Sequence, residues 1–404
     1  MNTPNENIAA FMQLKIALIT ETYLPEINGV SITVARMVQG LLQRQHQIHM
    51  VRPRQNKHDI AAQIDGYEET LVKGMPIPGY PELKSGAPSK GLLVRLWEKQ
   101  RPDIVHIATE GPLGWSALSA ARKLGIPVST DFHTNFHNYT PHYGIGFLRG
   151  PIAAYLRHFH NKSDCTLVPT ISLQQQLEQE SYKNVLVVSR GVDADLFHPK
   201  KRDAVLRASW GVDDNTPVVM LVSRLAAEKN LSTVIKTFEN MRVIDPRIKL
   251  VMVGDGPARA ELQRLHPRII FAGMQTGEAL ARHYASADIF LYPSLTETYG
   301  NVTVEAMASG LAVIAYDYAA ARQHIRHDIN GLLAPFDNTE VFTIQASELI
   351  TDLARLKRLG SAARHSVESL SWDHIMHQLE TVLLNTVQSQ GIKHDQPELA
   401  TATD

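Results

Sequence analysis

The feature that most constrains this chain is a strand, turn and helix rhythm that runs once, breaks at a polar stretch, and starts again. Leu14 to Thr20 is a short apolar run. After a turn containing Pro25, Asn28 and Gly29, apolar residues fall at Val30, Val34, Met37, Val38 and Leu41, the spacing of one helical face. Further strands are expected at Gln47 to Arg52, Asp103 to Ala108, Ile126 to Asp131 and Cys165 to Pro169. The rhythm resumes after Phe197-His-Pro-Lys-Lys-Arg202, read as a linker, with strands at Val218 to Ser223, Lys249 to Val253, Ile269 to Ala272, Asp288 to Tyr292 and Leu311 to Ala315. Short apolar strands that alternate with helices imply an α/β fold, its parallel sheet covered on both faces. A chain of 404 residues exceeds one ordinary core, so two doubly wound domains are expected. Ligands of such sheets lie beyond the carboxyl ends of the strands, and the cleft between the domains is the expected site.

Charge and cysteine usage narrow the function classes. The formal net charge of -1 gives no global pull toward polyanions, so nucleic acid is not an expected partner. Cys165 is the single cysteine and reads as part of a buried strand, which fits a reducing compartment. Residues 2 to 13 lack a basic segment followed by an apolar one, and no apolar run approaches the roughly 18 residues that span a bilayer. A cytoplasmic location is therefore expected. Residues 1 to 11 are either a disordered tail or the product of an upstream start, with Met12 as the other candidate initiator.

Three patterns carry chemistry. The first runs from Glu297 through Glu305 to Gly310, between two expected strands. Gly300 and Asn301 mark a helix start, so backbone N–H groups at Gly300, Asn301 and Val302 point toward the strand ends, where a diphosphate fits. On one continuous helix Glu297 and Glu305 would be separated by ~12 Å and turned by ~80°. They are not a paired acid and base; they suit two separate parts of one extended ligand. The second pattern, Ser223-Arg224 to Glu228-Lys229-Asn230, presents two cations just before a helix, able to neutralise a diphosphate leaving group without a metal. The third, Gly254-Asp-Gly-Pro257, permits close backbone approach after a strand. In the first half, Glu26-Ile-Asn28-Gly29-Val30 forms a turn into a helix, and His133 follows a strand directly.

Together these residues resemble glycosyltransferase family 4, the retaining nucleotide-sugar enzymes of GT-B fold, over roughly Leu14 to Leu384. The two glutamates with seven intervening residues, Arg224, Lys229, the Gly-Asp-Gly-Pro turn and Asn330-Gly331-Leu332 carry the resemblance. It implies two Rossmann-like domains facing a cleft: a flexible tail at 1–13, an acceptor-side domain at 14–196, a nucleotide-sugar domain at 197–370, a helix at 371–390 crossing back to the first domain, and a disordered tail at 391–404. It implies that Glu305 holds the ribose, that Glu297 and His133 lie by the transferred sugar, and that Arg224 and Lys229 bind the diphosphate. Gly29 would approach the diphosphate from the other domain, Gly273 and Met274 would meet the base, and Asn135, Phe136 and Tyr143 are acceptor-side candidates. No cofactor and no metal is implied.

Asn28-Gly29 departs from the two glycines many members carry. With His133-Thr-Asn-Phe-His137, His142-Tyr-Gly144 and Arg190-Gly-Val-Asp193, it looks most like the branch of GDP-mannose-dependent α-mannosyltransferases and diacylglycerol glycosyltransferases. The expected activity is transfer of a hexose, mannose from GDP-mannose, to a hydroxyl of a lipid or glycan acceptor, forming an α-linkage. The alternatives are UDP-sugar-dependent glycosylation of diacylglycerol, a sugar-nucleotide epimerase on the same fold, and a non-catalytic nucleotide-sugar-binding subunit. Neither domain carries a full Gly-x-Gly-x-x-Gly turn followed by an acidic residue, which argues against a nicotinamide enzyme.

Several residues also have plainer readings. Arg224 with Lys229 suits an ordinary surface pair, His133 a structural histidine, and Asp255 a turn cap. Asp193-Ala-Asp195 could hold a divalent ion or serve turn chemistry, and the second is favoured. Residues 144 to 162 space Leu148, Ile152, Tyr155, Leu156 and Phe159 along one face beside Arg149, Arg157 and Lys162. This pattern suits a core-packed helix, and it also suits peripheral docking on an anionic membrane surface. His158 and His160 stand two apart, the wrong spacing for one helical face, and no metal site is read from them.

Overall fold

The computed structural model describes residues 13–26, 28–77, 80–133 and 149–395. The first half contains β1 (Lys15–Ile19), β2 (Gln47–Pro53), β3 (Gln63–Ile64), β4 (Tyr67–Val72), β5 (Gly74–Ile77), β6 (Tyr80–Gly86), β7 (Ile104–Ile107), β8 (Val128–Asp131), β9 (Cys165–Val168) and β10 (Val185–Val187). Eight of these form one sheet in the order β10-β9-β8-β7-β1-β2-β4-β3, parallel throughout except where β3 pairs with β4; β5 and β6 form a separate hairpin. The second half contains β11 (Val218–Val222), β12 (Lys249–Val253), β13 (Ile270–Gly273), β14 (Ile289–Tyr292), β15 (Ala312–Tyr316) and β16 (Leu332–Ala334), all parallel in the order β13-β12-β11-β14-β15-β16.

These orders fix where ligands can go. In each sheet the chain winds outward in both directions from its first strand, so β1 and β11 sit at the points where strand order reverses. The residues that follow β1, 20–26, and β11, 223–230, open into the crevices that such reversals create. Strand interiors are apolar because both faces are covered: β11, Val-Val-Met-Leu-Val, is buried along its whole length.

The expected strands are all present, and six were not read from sequence. β4, Tyr-Glu-Glu-Thr-Leu-Val, is half-exposed near the sheet edge, where a strand needs no continuous apolar run. β3, β10 and β16 are only two or three residues long, and the β5–β6 hairpin carries Pro76. Short pairings of this kind follow from the sheet already being there.

The helix Trp372–Asp395 continues past the boundary at 390 and packs on the first half. Its Ile375, Met376, Leu379 and Leu383 share a core with Leu14, Ile16, Leu18, Val34 and Met37. Arg44 meets Asp373 at 2.6 Å, and His46 Nε2 lies 3.0 Å from Glu380. Two glycines permit the crossing: a Cβ on Gly40 would overlap the Met376 side chain, and one on Gly191 would come within 2.7 Å of the Trp372 backbone nitrogen. Among the described residues no helix is long and apolar enough to cross a membrane.

Candidate active site

The cleft side of the second half is organised around Glu297. The loop leaving β14 returns the Glu297 carboxylate onto the strand end, where Oε1 accepts hydrogen bonds from Tyr292 Oη at 2.5 Å and Ser294 Oγ at 2.7 Å. The Lys229 ammonium, presented by the turn after β11, meets the same oxygen. Tyr318 Oη donates to the Glu297 carbonyl at 2.7 Å. Three donors on one carboxylate oxygen, with lysine and glutamate both largely buried, hold the pair rigidly at the strand ends.

Immediately beyond, Gly300 ends the loop at φ +93°, a left-handed conformation suited to glycine, and the helix Asn301–Ala308 begins. No side chain caps this start. The first backbone N–H groups of this helix are therefore not taken up by a capping side chain. One turn further on, Glu305 Oε2 accepts from Tyr284 Oη at 3.0 Å. Burial pushes the Glu305 carboxyl up to about 7, with the Tyr284 hydrogen bond opposing.

Arg224 stands at the mouth of the same crevice with 44% of its side chain exposed, its guanidinium 3.9 Å from the buried Glu228 carboxylate. The loop that carries it is pinned by Gly254 and Gly256, each packed so closely on the backbone of residues 223 to 225 that a Cβ would overlap it. Asp255 accepts from the Gly256 N–H at 2.8 Å and pairs with Arg259 at 2.7 Å, which is turn chemistry. Gly273 ends β13 at φ +71° against the Arg259 guanidinium, and Met274 beside it is 54% exposed.

In the first half, Asn28 caps the helix Gly29–Gln43, accepting from Val30 N at 3.0 Å and Ser31 N at 2.8 Å. This explains the asparagine, which closes the helix start; a Cβ on Gly29 would meet no atom of the described residues within 4 Å. His133 is enclosed, its side chain 5% exposed. Its Nε2 lies 3.0 Å from Asp131 Oδ2, and Arg190 Nη2 donates to its Nδ1 at 3.0 Å. Burial lowers the His133 pKa, with Asp131 opposing and Arg190 reinforcing the shift. Burial alone would raise the Asp131 pKa, but His106 and His133 hold it well below the usual carboxylate range.

The structure therefore brings Lys229 and Glu297 into contact and sets Gly300, Asn301, Val302 and Glu305 directly beyond them. His133 joins this half through Arg190, whose carbonyl accepts from Tyr299 Oη at 3.1 Å. Sequence reading missed Tyr284, Tyr292, Tyr299 and Tyr318; for Tyr292 and Tyr318 the visible signal was a tyrosine at or just past the ends of β14 and β15, while Tyr284 lies inside the helix that precedes β14. Asn135, Phe136 and Tyr143 lie outside the described residues. Asp193 pairs with Arg36 at 2.9 Å and caps Leu196 N at 3.0 Å, the turn role. His160 is buried against Thr130 and Glu110, while His158 stacks on Trp115. Among the described residues no group of three or more His, Cys, Asp or Glu side chains could hold a metal ion.

Comparison with known proteins bears on the family and the fold. Residues 27–196 match the model described as Glycosyltransferase Family 4, and residues 216–352 match Glycosyl transferases group 1. A GDP-mannose-dependent alpha-mannosyltransferase of Mycolicibacterium smegmatis is 34% identical over 92% of this chain and 98% of its own. An alpha-monoglucosyldiacylglycerol synthase of Streptococcus pneumoniae is 26% identical over 75% of this chain and 71% of its own. Sucrose-phosphate synthase from Thermosynechococcus elongatus superposes with a TM-score of 0.76 at 19% identity, covering 93% of this chain and 100% of that one, which establishes the two-domain GT-B fold.

Proposed function

The chain belongs to glycosyltransferase family 4, and on that premise we propose that it moves mannose from GDP-mannose, with retention, to a hydroxyl of a lipid or glycan acceptor. The observation that carries this reading is the Lys229 ammonium seated on the Glu297 carboxylate just before the helix start at Gly300. A lysine so placed needs only a small shift to exchange a carboxylate oxygen for a phosphate oxygen. Arg224, Lys229 and the N–H groups of Gly300 to Val302 then receive the negative charge that develops on the departing diphosphate. Gly29 lets the first domain close on that diphosphate. Glu297 is left to hold the hexose, Glu305 takes the ribose, and the backbone at Gly273 and Met274 meets the base.

In this reading the acceptor oxygen bonds to the anomeric carbon on the face from which the diphosphate leaves. The anomeric carbon–phosphate oxygen bond breaks, and a phosphate oxygen takes the acceptor proton. No side-chain base and no divalent ion is needed; closure of the cleft keeps water from competing. Exposed Lys90, Arg95, Lys99, Arg122, Lys123, Arg157 and His158 on three neighbouring helices of the first domain support peripheral docking at an anionic cytoplasmic membrane surface, where a lipid acceptor would be met.

The test uses the full chain with GDP-mannose, UDP-glucose and the free nucleoside diphosphates. GDP-mannose should raise the melting temperature selectively and support transfer in the presence of a chelator. Equal stabilisation by UDP-glucose would reassign the donor. Turnover abolished by chelator and restored by magnesium would overturn the charge-stabilisation scheme.

A further inference from the structure

One chain of polar contacts crosses from the second domain to the first and ends on a buried carboxylate. Tyr299, two residues from Glu297, donates its hydroxyl to the Arg190 carbonyl at 3.1 Å and lies 3.0 Å from His324 Nε2. Its single proton cannot serve both, so His324 Nε2 carries the hydrogen on its side, and burial, which lowers the His324 pKa to about 4, keeps that ring neutral. The Arg190 guanidinium in turn donates through Nη2 to His133 Nδ1 at 3.0 Å. An acceptor at Nδ1 leaves the His133 proton on Nε2, which is 3.0 Å from Asp131 Oδ2. His106 Nε2 stands 3.4 Å from the same oxygen. Arg190 is 3% exposed and Asp131 fully enclosed, so this is a buried charge pair with histidines between and beside its members.

We propose that Arg190 is a positioning residue for sugar transfer: it keeps His133 neutral in the Nε2–H form and ties that histidine to the loop that carries Glu297. The inference rests on the reading that a hexose is transferred beside His133 and Glu297. Transfer with a departing diphosphate leaves positive charge on the hexose ring, and an imidazolium beside it would oppose that charge. Arg190 prevents this in two ways. It occupies the only lone pair at which His133 could take a second proton, and its own charge disfavours another nearby. Asp131 alone would do the reverse. Among the described residues Glu110, after β7, also acts on His133 and favours protonation, as Asp131 does; His106 reaches it through Asp131 and Tyr299 through Arg190.

The tautomer can be read without turnover. In the 15N-labelled full chain, the His133 signals, assigned by their loss in His133→Gln, should show a protonated Nε2 and an accepting Nδ1 at pH 7. In Arg190→Met the same signals should show an imidazolium near that pH, and the acid limb of kcat should move up by roughly one pH unit. Arg190→Met in the His133→Gln background should produce no such movement. Should Arg190→Met fold poorly, Arg190→Lys serves: it keeps the charge, loses the planar donor into Nδ1, and should lose the fixed tautomer. An Nδ1–H tautomer in the wild-type chain, or an unmoved acid limb in both variants, would overturn the proposal. A chain with the stated tautomer but no sugar transfer would overturn the function instead.

Discussion

The two faces of the cleft are held in place by different means. In the second domain the residues that meet the cleft hold one another: Lys229, Tyr292 and Ser294 converge on Glu297, and Tyr284 holds Glu305. In the first domain the polar residues at the helix starts hold backbone, and the side-chain cluster of Arg190 with His133 and Asp131 is enclosed behind them. Glu21 Oε1 accepts from Leu113 N at 2.8 Å and Gly114 N at 3.4 Å, fastening the start of the helix Pro112–Leu124, and Asn28 fastens the start of Gly29–Gln43. A diphosphate sugar presents the same charges whatever the acceptor, so fixed side-chain charges can await it. An acceptor face whose helix starts are fixed through backbone leaves recognition of the acceptor to what its loops present.

The largest effect should come from breaking the second-domain cluster at its cation. Lys229→Ala should lower kcat/KM by about a thousandfold, the order expected when a charge-stabilising group is removed from a water-excluded site. Circular dichroism and melting should change little, because Glu297 keeps Tyr292 and Ser294. Turnover within tenfold of wild type would mean that charge stabilisation in this domain does not depend on the cluster.

That contrast also decides how much of the molecule could be read from its residues. Glu297, Glu305, Arg224, Lys229 and Gly300 were legible because charge and glycine are placed relative to strand ends that apolar runs announce. Tyr299, Arg190 and His324 were not, since their partners are 109 and 25 residues away and no local pattern encodes such a meeting. His133 was legible as a residue after a strand but not in its enclosure, which depends on Arg190. Among strands, β1 and β11 announce themselves by continuous burial, whereas β4 and β16 pair with strands already in place and need little pattern of their own.

The helix Trp372–Asp395 gives a second way to separate the domains. Leu379 is fully buried in the first domain's core, though it stands more than 170 residues past the linker. Leu379→Ala should cost about 3 kcal/mol in the unfolding transition of the first domain and leave the second where it was. Ligand-induced stabilisation by nucleotide should survive in the remaining transition. Loss of both transitions together would make the two cores one cooperative unit. A smaller version of the same test is Glu21→Gln, where the amide supplies one acceptor to a place that holds backbone donors on both oxygens. It should cost about 1–2 kcal/mol, again in the first domain alone, with the Kd for nucleotide unchanged.

The smallest expected effect is the most specific to the donor. Before the nucleotide binds, burial holds the Glu305 carboxyl near pKa 7, above its ordinary 4.5, so the folded protein keeps a proton there that the unfolded chain would release. By linkage, the stability Glu305 contributes is full below about pH 4.5 and is lost as pH rises toward 7. A ribose that donates its hydroxyls to Glu305 favours the carboxylate and reverses this, so donor binding should expel a proton and tighten as pH rises to about 7, then level off. Calorimetry at about pH 6 in two buffers of different ionisation heat should find a release approaching one proton per nucleotide, absent in Glu305→Gln. Proton uptake, or release that persists in Glu305→Gln, would move the ribose away from this carboxylate and leave it the role of holding Tyr284.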